Sequence, residues 1–242
     1  MDKTKLVFLD TETTGVGPEG RLCQVAYKIN NQEFESLFKP PCPIEIEAMS
    51  VSHITNKMVA DKDPFHGSPM HNDLVEIFSG GAVMVAHNAA FDAEILRREK
   101  IEVQNIIDTY KIAQHLDSEA KVPRYNLQYL RYYFDLDVSD APAHNALGDI
   151  RVLERLFDHF FDQMNAEKND EKEVIKKMME ISAKPIFIRK FNFGKYKDQL
   201  VGEVALSDQG YLRWLLGEKI KDREERGEND ENWIYTLEHY LK

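Results

Sequence analysis

KLVFLDTETTG, running from Lys5 to Gly15, is the stretch on which the reading of the chain turns. Lys5 to Asp10 is aliphatic and aromatic in the manner of a buried strand. Strand side chains alternate between faces, so Asp10 and Glu12, two positions apart, point the same way and bring two carboxylates to one spot. Thr13, Thr14 and Gly15 then end the strand with two hydroxyls and a residue free to take a positive φ, a backbone able to come close to a ligand. An Asp-x-Glu triplet arises easily by chance in an acidic protein, so its meaning depends on what arrives beside it.

Outward from this strand, Arg21 to Ile29 and Glu33 to Phe38 follow across Gly-Pro and Asn-Asn breaks and complete a predicted antiparallel meander. Beyond the proline-rich KPPCP, helical patterns lie around Ile44 to Met49 and His71 to Phe78, and Gly80-Gly81 stops the second. Ala82 to Ala86 reads as a short buried strand, Ala90 to Lys100 as an amphipathic helix and Asn105 to Asp108 as another strand. Strands alternating with helices predict an α/β domain with a sheet covered on both faces. From Tyr125 the pattern is helical, and Leu147, Ile150, Leu153, Phe157 and Phe160 recur every three or four residues. Asn165 to Lys177 is dense in Lys, Glu, Asp and Asn and reads as a linker into a charged helix carrying Ile175, Met178, Met179 and Ile181. Phe187 to Phe193 alternates like a strand, Leu200 to Gly217 is largely helical, and Trp233 to Leu241 is a last helix. The expected organisation is a main domain over 1–165, a charged linker and helix over 166–183, and a small α+β domain over 184–242.

At 242 residues, 43% hydrophobic and 30% charged, the composition is that of a soluble globular protein, and no apolar run reaches the ~20 residues of a membrane span. The N-terminus lacks the pattern of a secretory signal, so a cytoplasmic location is expected. Cys23 and Cys42 have neither CxxC spacing nor a zinc-finger histidine partner, which excludes a disulfide framework and a structural zinc site. A net charge of −11 excludes a protein that coats nucleic acid nonspecifically, but not a nuclease, because acids that bind cations count as negative in the formal sum. Basic and acidic residues balance from Lys184 onward, so the whole excess lies before it. Lys184 to Leu200 alone sets Lys184, Arg189, Lys190, Lys195 and Lys197 against Asp198.

Two further constellations give the first its weight. His87-Asn88-Ala-Ala-Phe91-Asp92 lies between a predicted strand and helix, and His144-Asn-Ala-Leu-Gly148-Asp149 opens the long apolar helix. Alone, Asp92 is explained by the helix N-terminal dipole, and His87 and Asn88 by capping and core hydrogen bonding. Together with Asp10 and Glu12, each set falls at a strand end or a helix start, where open α/β sheets build their sites.

With FLDTETTG, VAHNAAFD and HNALGD in this order, the chain resembles the DEDDh exonucleases of the ribonuclease H-like superfamily over roughly Lys5 to Phe161. The tail FNFGKYKDQLVGEVALSDQGYLRWLLGEK resembles the small C-terminal domain of exodeoxyribonuclease X-like proteins. The resemblance implies a mixed five-stranded sheet flanked by helices and two Mg²⁺ or Mn²⁺ ions bound by hard oxygen donors. It implies that Asp10 bridges the ions, Glu12 and Asp149 help hold the ion that activates water, Asp92 supports the site through bound water, and His144 is the general base. It further implies that Thr13, Thr14 and Gly15 meet the terminal 3′-hydroxyl, that His87, Asn88 and Phe91 shape the pocket for the last nucleotide, and that Met49 and Val51 pack on its base. Ser52 stands where the family often has histidine, with His53 beside it, so a histidine contact does not carry over. Met49, Val51 and Phe91 are equally explained as core.

In the C-terminal stretch, Lys195 and Lys197 are candidates to track phosphates, with Tyr211 or Trp214 stacking on bases. Trp214 shares a helical stripe with Leu215 and Tyr211, which favours core packing for it. Three functions stay open: a 3′→5′ DNA exonuclease of repair or recombination acting on a free 3′ end, an exoribonuclease with the same chemistry, and a module that docks on a polymerase or repair partner.

Overall fold

A computed structural model describes residues 5–138 and 146–242, which fall into two compact units. One unit takes the residues up to Tyr110 together with Arg124–Ser182; the other takes Lys111–Pro123 and Ala183–Lys242.

The first unit is built on β1 (Leu6–Thr13), β2 (Leu22–Ile29) and β3 (Gln32–Leu37), an antiparallel meander as the sequence predicts. Helices α1 (Ile46–Ser52), α2 (Asn56–Val59) and α3 (Pro69–Ser79) lead to β4 (Val83–Ala86), α4 (Ala89–Arg98) and β5 (Asn105–Asp108). β4 and β5 are parallel to β1, which makes one mixed sheet in the order β3-β2-β1-β4-β5. After β5 comes α5 (Thr109–Leu116), which from Lys111 belongs to the second unit, and the first unit resumes with α6 (Leu127–Tyr133), α7 (Ala146–Lys168) and α8 (Glu171–Ser182). Local chemistry starts these helices where they start. Ser68 caps α3 by accepting from His71 N at 3.2 Å, with Pro69 at the first position, and Asn126 caps α6 by accepting from Tyr129 N at 2.8 Å.

Alternation along β1 sorts its residues between two layers. Val7 and Leu9 enter a core with Leu74 and Phe78 of α3 and Ile95 and Leu96 of α4, all buried. Phe8 faces the other way, against Phe157 of α7 in an edge-on contact 5.4 Å between centroids. Asp10 and Glu12 share the parity of Phe8 and therefore lie on the face that α7 covers. Each fully buried Leu or Phe contributes about 1.5–3 kcal/mol, so the register of β1 is firmly held.

Four expectations are revised. β1 runs through Asp10 to Thr13, with a register shift between Glu12 and Thr13 that re-aims the strand end. α5 has no counterpart in the pattern reading. The charged stretch after Asn165 is not an open linker: α7 continues to Lys168, Asn169 takes a left-handed φ of 51°, and α8 begins two residues later. Val174, Ile175, Met178 and Ile181 give α8 a buried face that packs on β5 and α7, so the division of the chain after this point falls behind Ser182. The charges that suggested a linker are the solvated face of this helix.

The second unit is helical, with α9 (Val201–Ser207), α10 (Gln209–Arg226) and α11 (Glu231–Tyr240) around Phe191, Val201, Val204, Leu212, Leu215, Trp233 and Leu237. Phe187 to Phe193 forms no strand, only an isolated antiparallel bridge between Lys190 and Leu200. Its alternate amides are taken by helix side chains: Ile186 N donates to Asn232 Oδ1 at 2.7 Å and Ile188 N to Thr236 Oγ1 at 2.8 Å. With its donors satisfied by α11, the segment has no need of a sheet partner. No helix among the described residues is long and apolar enough to cross a membrane.

Candidate active site

Asp10 and Glu12 leave β1 toward α7, Asp92 sits in the first turn of α4, and Asp149 in the first turn of α7. The four act on one another. Burial first, and then the charges of Asp92, Glu12 and Asp149, hold the Asp10 carboxyl well above the usual carboxylate range. Burial and the charge of Asp149 push Glu12 up to about 7, and burial with the charge of Asp108 raises Asp92 to about 7 against the lowering effect of its hydrogen bonds. None of Asp10, Glu12 and Asp92 forms an ion pair with a described Lys, Arg or His. Acids desolvated together without a counter-cation are costly to the fold and mark a functional cleft.

Among the described residues, no three His, Cys, Asp or Glu side chains close to the spacing of a metal cage. Protein hydrogen bonds hold two of the acids. Asp92 Oδ1 accepts from Thr11 N at 3.0 Å and from Thr11 Oγ1 at 2.7 Å, and Asp149 Oδ1 accepts from Gln128 Nε2 at 2.5 Å. The donors are all hard carboxylate oxygens in mutual repulsion, which suits Mg²⁺ or Mn²⁺ and relieves that repulsion on binding. His144 lies outside the described residues.

The loop after β1 is stiff. Thr14 N donates to Arg21 O, Glu45 N donates to Thr14 O, each at 2.8 Å, Thr14 Oγ1 accepts from Arg21 N at 3.0 Å, and Thr13 Oγ1 donates to Gly15 O at 3.0 Å. Gly15 is not needed for a positive φ, contrary to expectation. A Cβ there would stand 2.5 Å from the carboxyl of Glu45, the end of an exposed side chain that can swing aside, so the loop itself does not demand glycine at this position. The base-packing candidates separate: Met49 packs against the cluster of Cys23, Ile44, Ile54 and Val59, Phe91 against the main core, and Val51 is 57% exposed.

His87 faces inward. Its Nε2 lies 2.7 Å from Tyr125 O and its Nδ1 2.9 Å from Thr109 Oγ1, while burial lowers its pKa to about 4. The ring is thus a neutral strut between β4 and the start of α6. Asn88 follows at φ 66°, a left-handed conformation asparagine tolerates, and its N–H donates to Asp108 Oδ1 at 2.9 Å. A histidine neutral when folded and free to charge when unfolded stabilises the protein above pH 6.5, and that contribution is lost as pH falls toward 4. Its full size is about 3 kcal/mol. The raised acids work in the opposite sense, their stabilisation fading as pH rises through about 7. Urea denaturation of the wild type and His87→Gln at pH 7 and pH 4.5 cancels the acids; the wild type is expected to lose about 2–3 kcal/mol relative to the variant on acidification.

Pattern reading missed Thr11, Asp108 and Gln128. Thr11 points away from Asp10 and Glu12, so strand parity does not group it with them. Asp108 is buried at the end of β5 and also accepts from Tyr110 N at 3.0 Å. Gln128 lies outside the three motifs.

In the second unit, Asp208 caps α10 and collects Lys195 at 2.9 Å, the Tyr196 hydroxyl at 2.6 Å and Tyr211 N at 3.0 Å. Lys195 also lies over the rings of Tyr196 and Tyr211, which pack against the local core. Lys195 and Tyr211 are thereby committed within the unit, while Lys197 is exposed. Trp214 is 56% exposed, which corrects its assignment to the core.

A family model described as Exonuclease matches residues 7–157, spanning all three motifs. The chain belongs to the exonuclease family. It is a nuclease, a hydrolase of phosphodiester bonds. A second model, Exodeoxyribonuclease X-like C-terminal, matches residues 191–219. Exodeoxyribonuclease 10 of Escherichia coli strain K12 is 32% identical over 98% of this chain and 99% of its own length. DNA polymerase III subunit epsilon of Rickettsia typhi is 28% identical over 65% of this chain and 74% of its own. The solved structure of exonuclease X in complex with 5′ overhanging duplex DNA is 28% identical with a TM-score of 0.57, covering 74% of this chain and 99% of that one. Membership of the exonuclease family accounts for the mixed five-stranded sheet flanked by helices.

Proposed function

We propose that the chain removes nucleotides from the 3′ end of DNA, hydrolysing the terminal phosphodiester bond and releasing nucleoside 5′-monophosphates, in repair or recombination. One observation carries this reading: Asp92, Glu12 and Asp149 all act on the buried Asp10 carboxyl, Asp149 also acts on Glu12, and Asp10, Glu12 and Asp92 have no described cationic partner. Likeness to exodeoxyribonuclease 10 along the whole chain supports DNA over RNA.

A pair of Mg²⁺ or Mn²⁺ ions supplies, when bound, an activated water and neutralisation of charge on the attacking and leaving oxygens. Asp10, the acid on which all three others act, is the ligand suited to being shared. Glu12 and Asp149 complete one side of the site, and Asp92, turned to Thr11 by two hydrogen bonds, supports it from the other. His144 takes the proton of the attacking water. Thr13, Thr14 and Gly15 form a rigid wall for the terminal sugar. Of the candidates named on the C-terminal unit, Lys197 and Trp214 are exposed and suited to contact with the strand.

End-labelled DNA and RNA of one sequence, single- and double-stranded, test this directly. Mononucleotides are expected from the 3′ end of DNA in Mg²⁺ or Mn²⁺, with none in chelator. Preferential trimming of RNA, or release from the 5′ end, would overturn the reading.

A further inference from the structure

Gln128 reaches a site carboxylate, that of Asp149, from outside the three motifs. It enters from the first turn of α6, a segment held by the His87 strut through Tyr125 O and by the Asn126 cap. Its Nε2 donates to Asp149 Oδ1 at 2.5 Å, and its Oε1 is buried with no hydrogen-bond partner. The reversed amide would set two acceptors against each other, so the amino group must face the carboxylate. A buried amide oxygen left unmatched costs about 1–3 kcal/mol, a cost the fold accepts for a group that serves a ligand. Its amide geometry keeps Oε1 close to Nε2, and therefore beside Asp149.

We propose that Gln128 is a positioning residue for the cation site, fixing the Asp149 carboxylate with its amino group and presenting Oε1 to a water held at that site. This rests on the reading of the chain as a metal-dependent exonuclease. An uncharged donor is what such a position requires. A Lys or Arg would satisfy Asp149 with a full positive charge and compete with the cation, whereas an amide orients the carboxylate and leaves its charge intact.

The test uses full-length protein and Mn²⁺ alone, followed by electron paramagnetic resonance, with no nucleic acid present. Gln128→Met, close in volume and without the amide, is expected to weaken Mn²⁺ binding about 10–100-fold. Gln128→Lys is expected to weaken it further, although it keeps a donor for Asp149. Kinetics at rising Mn²⁺ should show Gln128→Met regaining much of its kcat at saturating metal, with KM for the oligonucleotide little changed. Wild-type affinity in a folded Gln128→Met variant, or tighter binding in Gln128→Lys, would overturn the proposal and leave the nuclease reading standing. Failure of the wild type to bind Mn²⁺ or cleave DNA would instead remove the nuclease reading, and this proposal with it. If Gln128→Met does not fold, Gln128→Leu takes its place with the same two outcomes: Mn²⁺ binding weakened about 10–100-fold supports the proposal, and wild-type affinity overturns it.

Discussion

Asp10→Asn is expected to stop hydrolysis and, in the same molecule without metal, to make the fold more stable. Asp10 lies beside three other acids in a desolvated cleft, and the replacement keeps its volume while deleting the charge all three oppose. Relief of that opposition is worth about 1–2 kcal/mol, a rise in Tm of roughly 2–4 °C per kcal/mol for a chain of this size. Catalysis suffers because the same charge is what a shared ligand contributes. Loss of several kcal/mol of transition-state stabilisation corresponds to at least about 10⁴-fold in the single-turnover rate. Melting in chelator and single-turnover cleavage in Mg²⁺ give the two readouts. A variant that cleaves within tenfold of the wild type would reject Asp10 as a ligand, and one that melts lower in chelator would reject the repulsion.

His144→Ala is expected to slow the chemical step by about 10²–10⁴-fold while changing oligonucleotide binding little. His144 precedes Ala146, the first residue of α7, by two positions, so a short length of chain connects it to the helix that carries Asp149. A general base must be unprotonated to act, so wild-type kcat should decline as pH falls through the imidazole range, and the variant should lose that decline. Rapid-quench rates between pH 5.5 and 8.5 decide. An unchanged rate and profile would assign the proton to another group. His87 cannot serve, since its nitrogens are turned to Tyr125 O and Thr109 Oγ1.

The fold was legible wherever period and punctuation agreed. β1 to β3, β4, α4 and β5 follow from short apolar runs between Gly, Pro and Asn breaks, and α7 from its regular apolar steps. The charged helix carrying Ile175, Met178 and Ile181 was legible, but the linker read before it was not real, because the Lys, Glu and Asp of that stretch belong to the end of α7 and the solvated face of α8. Alternation at Phe187 to Phe193 was genuine, but α11 supplied the hydrogen bonds a sheet would have given. At the site, the acids could be located from strand parity and helix starts. Gln128 and Thr11 could not, because what singles them out is a contact across 21 and 81 residues of sequence.

One feature of the sheet bears on how this protein behaves at high concentration. β3 ends the sheet order on one side, a row of backbone groups that another chain could extend. It carries Glu33 and Glu35 within six residues, and Glu33 is clamped by the Arg151 guanidinium at 2.8 Å, with its carboxyl held below its usual range by that hydrogen bond. A second copy adding a strand in antiparallel register would set glutamates against glutamates. Edge-to-edge polymerisation is thereby disfavoured, and replacing both acids by Thr or Val would remove that safeguard against aggregates.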